Sequence, residues 1–245
     1  LEAGDLQTAK LKAAITPPDG QAAVILPVPG ADTTVAGVSL TLQKPADENW
    51  QINGELDQLR TPDMAISRAV INAAGALDQS AGFALDGAID ARLNGFVLAD
   101  PALAAATGSD LTLSARLTTK EGADFLIRDL DVQGESYAAR GDVRFNGVEN
   151  DLRIATELTL TADDLKRFSE IAGLSLSGSA IADITGHFQP LSGAFGVDLA
   201  LTGQDLGTGI ADVDPLLTGE STLKLVAARD TSGVRIDQFD LQTTE

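Results

Sequence analysis

Along much of this chain apolar and polar residues alternate with a period of two. In DLRIATELTL, Leu152, Ile154, Leu158 and Leu160 share one parity with Thr156 in the remaining slot, while Arg153, Ala155, Glu157 and Thr159 are mostly polar. Successive side chains of an extended strand point to opposite faces, so such runs predict strands with one dry and one wet face. The same pattern covers Val38, Leu40 and Leu42; Phe83 and Leu85; Leu111, Leu113, Ala115 and Leu117; Val143 and Phe145; Phe195, Val197, Leu199 and Leu201; and Leu223 with Leu225. Between the runs stand turn signals: Pro17-Pro18-Asp19-Gly20, Asn53-Gly54, Asn94-Gly95, Asn146-Gly147 and Asp230-Thr-Ser-Gly233. Together they predict a meander of antiparallel strands, with no βα alternation of a doubly wound fold.

One segment has helical spacing instead. In TADDLKRFSEIAGL, Leu165, Phe168, Ile171 and Ala172 fall on one helical face, Thr161 reads as a cap with Asp164 three residues on, and Gly173 as the stop. This predicts one short inserted helix near 162–172, of about three turns, that covers a sheet end or fills a groove. Asp100-Pro101 and Asp214-Pro215 each read as the start of a single helical turn, with Asp as cap and Pro at the first helical position.

The chain also repeats itself at about 111 residues. AISRAVINAAG, from Ala65 to Gly75, aligns with LSGSAIADITG, from Leu176 to Gly186, matching Ala69 with Ala180, Val70 with Ile181, Asn72 with Asp183 and Gly75 with Gly186. After one inserted residue, Ser80, Phe83, Leu85 and Asp86 meet Ser192, Phe195, Val197 and Asp198. Thr107-Gly108 then recurs as Thr218-Gly219, and Gly122, Phe125 and Asp129-Leu130 as Gly233, Ile236 and Asp240-Leu241. A partial third copy reads from LKAAITPPDG at Leu11 to Gly20, which resembles LSARLTTKEG at Leu113 to Gly122. The expected organisation is the tail of a preceding repeat over 1–64, one repeat with the inserted helix over 65–175, and the start of the next over 176–245. All belong to one continuous, elongated, repetitive β structure.

Composition narrows the chemistry. Hydrophobic residues make 44% of the 245, but aromatics only 4%, so the apolar side is built from Leu, Ile, Val and Ala. The net charge of -19 repels phosphates, which argues against a nucleic-acid partner and keeps exposed β edges soluble. The absence of cysteine excludes disulfides, thiolate metal sites and cysteine nucleophiles. No apolar run is long enough to span a bilayer as a helix, and LEAGDLQTAK is not a signal peptide. A chain starting in mid-pattern at Leu1 reads as a fragment, with any anchor or export signal outside it. The stretch from Pro27 to Gly30 reads as an irregular connection or an edge.

No catalytic constellation stands out. The single histidine, His187 in ITGHFQP, reads as a strand or turn residue facing solvent, and one histidine cannot build the usual zinc site. No EF-hand loop or β-roll nonapeptide occurs; Asp86-Gly87 with Asp90, and Asp212 with Asp214, read as turns. Carbohydrate enzymes usually bring aromatic platforms, and only Trp50 and Tyr137 supply indole or phenol here. The expectation is a protein that is not an enzyme and needs no cofactor and no metal.

The stretch from Asp163 to Gln242 runs from DDLKRFSEIAG through LSLSGSAIADITGHF and AFGVDLALTGQDL to GIADVDPLLTGESTLKLVAARDTSGVRIDQFDL. This cadence of helix, "SG" strands, "DPLL-TG" turn and "ARD-GVRI" hairpin resembles the repeat region of TamB-like proteins of the AsmA-like superfamily. It recurs more weakly from Ala65 to Gln133. The resemblance implies a curved β-sheet groove, or β-taco, with a hydrophobic concave surface. It further implies a periplasmic protein whose full-length parent is anchored in the inner membrane of a Gram-negative bacterium, phospholipid acyl chains as cargo between inner and outer membrane, and outer-membrane protein assembly with a TamA-type barrel partner.

On this reading the inward side chains form a greasy track: Leu111, Leu113, Leu117, Leu152, Ile154, Leu158, Leu160, Phe195, Val197, Leu199, Leu201, Leu223 and Leu225. Each acyl methylene moved from water into such a channel gains about 0.8 kcal/mol. From the residues alone a second reading stands beside it: a structural or adhesive β-solenoid or sandwich whose apolar walls meet in a packed core, with its outer faces binding protein.

Overall fold

In the computed structural model, which describes residues 8–26, 32–45, 49–78, 84–119, 125–147 and 152–244, sixteen strands form one antiparallel sheet. The strands are β1 (Ala9–Ile15), β2 (Val24–Leu26), β3 (Thr33–Val35), β4 (Gly37–Lys44), β5 (Trp50–Arg60), β6 (Met64–Asp78), β7 (Ala84–Asn94) and β8 (Val97–Leu98). They continue with β9 (Asp110–Thr119), β10 (Phe125–Gln133), β11 (Tyr137–Asn146), β12 (Arg153–Ala162), β13 (Ser177–Gln189), β14 (Ala194–Gly207), β15 (Glu220–Asp230) and β16 (Gly233–Thr244). Thirteen of them lie side by side in the order β1-β4-β5-β6-β7-β9-β10-β11-β12-β13-β14-β15-β16. At a strand spacing of 4.7–4.9 Å the sheet is about 57 Å across. From β4 onward each strand of this path pairs with the next one in sequence, except that β7 pairs with β9 while the short β8 pairs with β6 beyond the end of β7. The expected meander is therefore observed, as one continuous sheet that crosses the repeat boundaries.

The turn signals separate into two groups. Gly20 (φ 85) and Gly95 (φ 61) turn the chain where Pro17-Pro18-Asp19-Gly20 and Asn94-Gly95 stand, and Gly147 (φ 66) directly follows β11. Asp230 and Gly233 close a two-residue hairpin, and the Asp230 carboxylate accepts from the Ser232 amide and hydroxyl. Asn53-Gly54, by contrast, lies inside β5, and Asp86-Gly87 with Asp90 inside β7, so these expected turns are corrected to strand. Their neighbours on both sides extend the ladder, and a glycine in a strand interior marks a close backbone approach as readily as a turn. The stretch from Pro27 to Gly30 lies outside the described residues.

The helical elements also differ in detail from expectation. The inserted helix is a 3₁₀ turn, Leu165–Phe168, running into a single α turn, α2 (Ser169–Ala172). Asp164 is its cap, accepting from the Lys166 amide, while Thr161 belongs to β12. Gly173 ends it in the left-handed region, as expected. A second helix, α1 (Pro101–Thr107), is longer than the single turn expected, with Asp100 accepting from the amides of Ala102 and Leu103. At Asp214–Leu217 the turn is 3₁₀ and its cap position is Val213; the Asp214 carboxylate reaches back to the Thr208 amide (2.7 Å), the Thr208 hydroxyl (2.8 Å) and the Gly209 amide (3.1 Å).

Matched positions of the repeat behave alike. Ala69 and Ala180 are both buried, and α1 and the Asp214–Leu217 turn each precede a strand of the same rank. Gly75 faces Gly87 whereas Gly186 faces Val197, so the partner strand is set two residues differently from the alignment of Leu85 with Val197. A two-residue slip keeps every side chain on its face. The partial N-terminal copy is not matched in the same way: two strands separate β1 from β6, but three separate β9 from β13.

Candidate functional site

Directly paired residues of an antiparallel ladder point to the same face. One row runs through all thirteen strands without interruption: Ala13, Leu40, Gly54, Ile71, Ala91, Leu113, Val132, Ala139, Leu160, Ala182, Leu201, Leu223 and Leu241. Every member is apolar or glycine. A neighbouring row on the same face passes through Gly141, Leu158, Ile184, Leu199, Leu225 and Phe239, and the next through Leu117, Ile127, Val143, Thr156, Gly186, Val197, Ala227 and Ile236.

The register brings together twelve of the thirteen residues singled out in the sequence. Leu113, Leu160, Leu201 and Leu223 occupy the first row; Leu158, Leu199 and Leu225 the second; Leu117 and Val197 the third. Ile154 and Phe195 flank Phe188 in a fourth row, and Leu111 pairs with Leu93. Leu152 sits just ahead of β12, half-buried and outside the ladder.

The same face holds residues the sequence reading did not choose. In β10, Phe125 and Ile127 have odd numbers while Leu130 and Val132 have even ones, so strict alternation would place them on opposite faces. A bulge between Ile127 and Leu130, where Asp129 takes φ 49, returns all four to one side. A register shift in β16 likewise aligns Val234 and Ile236 with Phe239 and Leu241. The signal available in the sequence was paired apolar residues on either side of an aspartate.

This face is not covered by a second layer. All twelve of these residues are only half-buried, whereas the middle of a packed sandwich would hide its central leucines. At the edges exposure rises, to 55% for Leu11 and 65% for Phe239. The chain exposes 15623 Å² in total, against about 10,300 Å² for a compact monomer of its mass.

Two glycines on the apolar face mark close approaches of neighbouring strands. A Cβ at Gly75 would lie 2.5 Å from the Asp86 carbonyl oxygen and 2.6 Å from the Gly87 Cα; one at Gly186 would lie 2.7 Å from the Gly196 carbonyl oxygen. At both positions a side chain would strike the neighbouring backbone, so glycine is what lets the strands approach this closely on the apolar face.

One rim of the groove is made of short helical turns, since α1, the Leu165–Ala172 helix and the Asp214–Leu217 turn all leave the sheet at the same strand ends. Tyr137 ties this rim together. Its hydroxyl donates to the Thr107 carbonyl of α1 (2.9 Å), its ring meets Phe168 edge-on, and the Arg167 guanidinium lies 5.3 Å over it. Burial raises the Tyr137 pKa, with the Arg167 charge opposing.

The opposite face is polar and carries exposed ion pairs such as Arg68–Glu55 and Arg140–Asp131. The Arg140 hydrogen bond holds the Asp131 pKa below its ordinary value. A shallow depression of about 840 Å³ lies here, between Arg68, Asn72, Asp90, Arg92, Ser114 and Asp131. His187 stands on this face in β13, and desolvation, then the charge of Arg153, lower its pKa. No nucleophile is in hydrogen-bond contact with it among the described residues. Nor do the described residues include a cluster of histidine and carboxylate groups able to hold a metal, or a helix long and apolar enough to cross a membrane.

Comparison of the chain with protein-family models, with curated proteins and with solved structures gives no match.

Proposed function

We propose that this chain is a non-enzymatic segment of a periplasmic envelope protein whose β groove carries phospholipid acyl chains between the inner and outer membranes. Assembly of outer-membrane proteins with a TamA-type barrel is the accompanying role that the TamB-like resemblance implies. The observation that carries the reading is the row of thirteen apolar or glycine positions from Ala13 to Leu241. A flexible hydrocarbon chain needs non-directional contact all along its path, and it supplies the cover that the sheet itself lacks. A fatty chain of roughly sixteen carbons gains on the order of a dozen kcal/mol on leaving water, before ordering costs. The alternative of an adhesive β-solenoid requires a packed core, and the half-exposure of Leu199 and its neighbours disfavours it.

The test is native mass spectrometry of the chain purified from a bacterial envelope without detergent, followed by uptake of a fluorescent phospholipid. The expected result is displaceable phospholipid on the wild type, retained by Leu199→Ala and lost in Leu199→Asp, because a carboxylate in the groove must be desolvated as a chain passes. A lipid-free mass combined with no uptake would overturn the proposal. So would normal uptake by a correctly folded Leu199→Asp variant.

A further inference from the structure

We propose that the lip of the groove opposite the helical turns holds the phosphate of a phospholipid headgroup, with Arg229 as its contact. The inference rests on the lipid-groove reading and deepens it by giving the lipid an orientation across the groove. On the apolar face, the last row before the hairpin ends runs through Phe125, Phe145, Ile154, Phe188, Phe195, Arg229 and Val234. Four of the chain's eight phenylalanines therefore stand on five consecutive strands of one lip. The Phe125 and Phe145 rings lie 5.8 Å apart, and Phe188 is 44% exposed. Arg229 is the one charged member of this row. It is exposed although β14 and β16 flank it, and it takes part in none of the ion pairs formed among the described residues.

Charge selects the occupant and its direction. A guanidinium set in a row of phenylalanines suits an anion that also carries hydrocarbon: a bare hydrocarbon would leave the cation without a counter-charge, and a free phosphate would leave the rings uncovered. A lipid phosphodiester satisfies both, because the guanidinium fork donates to two phosphate oxygens while the acyl chains cover the rings. The outer face of the same strand ends adds to the positive field. There the paired row from Leu126 to Ala228 carries Arg144 and no carboxylate, and Arg153 stands two residues from Ala155 of that row. The helical lip has the opposite sign, with Asp100, Asp163, Asp164, Glu170, Asp212 and Asp214 against Lys166 and Arg167, of which Arg167 is already paired with Glu135. A phosphate is repelled there and attracted at the phenylalanine lip. The lipid accordingly lies with its acyl chains over the leucine rows and its head at Arg229.

The test is fluorescence titration of the 245-residue chain with two probes that share the same labelled acyl chains, a phosphatidylglycerol and the corresponding diacylglycerol, which lacks the phosphate. The wild type should bind the phospholipid about tenfold more tightly than the diacylglycerol. Arg229→Glu should abolish that preference, and Arg229→Lys should keep part of it, since an ammonium preserves the charge but not the fork. Phe188→Ser should weaken both probes alike and leave the preference in place, because a ring supplies hydrocarbon contact whatever the head. Equal binding of the two probes by the wild type overturns the inference and leaves the lipid groove standing, as does a preference that survives Arg229→Glu while circular dichroism is unchanged. Inorganic phosphate that binds the lipid-free chain through Arg229 as tightly as the phospholipid does would make this a free-anion site and also overturn it. A wild type that binds neither probe overturns the lipid-groove reading itself, and the orientation with it.

Discussion

At the scale of single residues, glycines on the apolar face have opposite roles that distances separate. A Cβ at Gly54 would meet nothing nearer than the Leu40 Cδ1 at 3.8 Å, an ordinary contact, whereas at Gly75 it would strike the Asp86 backbone at 2.5 Å. Gly54→Ala is therefore expected to be neutral or stabilising by up to about 1 kcal/mol. Gly75→Ala should cost about 1–3 kcal/mol, because backbone cannot move aside as a flexible side chain can. Urea midpoints of the two variants check the difference in sign. Acid adds a second residue-scale test at Asp214. Its pKa is lowered chiefly by the Thr208 amide and hydroxyl, and further by Gly209 and Ile210 amides. A carboxyl with a depressed folded pKa stabilises above its unfolded value, near 3.9, and loses that contribution as pH falls through the folded value. Asp214→Asn should thus be less stable than the wild type at neutral pH, and the gap should close at pH values below the ordinary carboxylate range. A gap that persists unchanged in acid would show that the carboxylate's charge is not what the Thr208 and Gly209 donors recognise.

At the scale of elements, the apolar rows were legible in the sequence wherever a strand alternates without a break. Leu158 and Leu199 could be assigned to one face because nothing between Ile154 and Leu160, or between Phe195 and Leu201, disturbs the pleat. β10 and β16 were not legible in this way, since a bulge changes parity without any glycine to announce it: Asp129 takes φ 49 as a non-glycine residue. Asn53-Gly54 misled for the converse reason, having turn composition but ladder partners on both sides. The helical rim was partly legible. Asp100-Pro101 marked α1, but the contact that holds it, from the Tyr137 hydroxyl to the Thr107 carbonyl, joins residues 30 apart in sequence and has no local signature. Tyr137→Phe should cost about 0.5–1.5 kcal/mol through loss of that hydrogen bond. Asp100→Ala should cost about 1 kcal/mol through loss of the cap. If both act on the same docked helix, the double variant should fall short of the summed effects, which a double-mutant cycle in urea measures.

At the scale of the whole molecule, an uncovered sheet has consequences that a compact chain of equal length would not share. The unfolded chain would expose about 36,700 Å², so folding to 15623 Å² hides about four fifths of what a compact fold would hide, and the urea m-value should be lower in the same proportion. Cooperativity should also be graded. Strand packing within the sheet runs between hydrogen-bonded neighbours, β1 to β4 to β5 and onward to β16, so opening can begin at an end and proceed strand by strand. Hydrogen exchange should accordingly be fastest in β1 and slowest in the strands from β9 to β13.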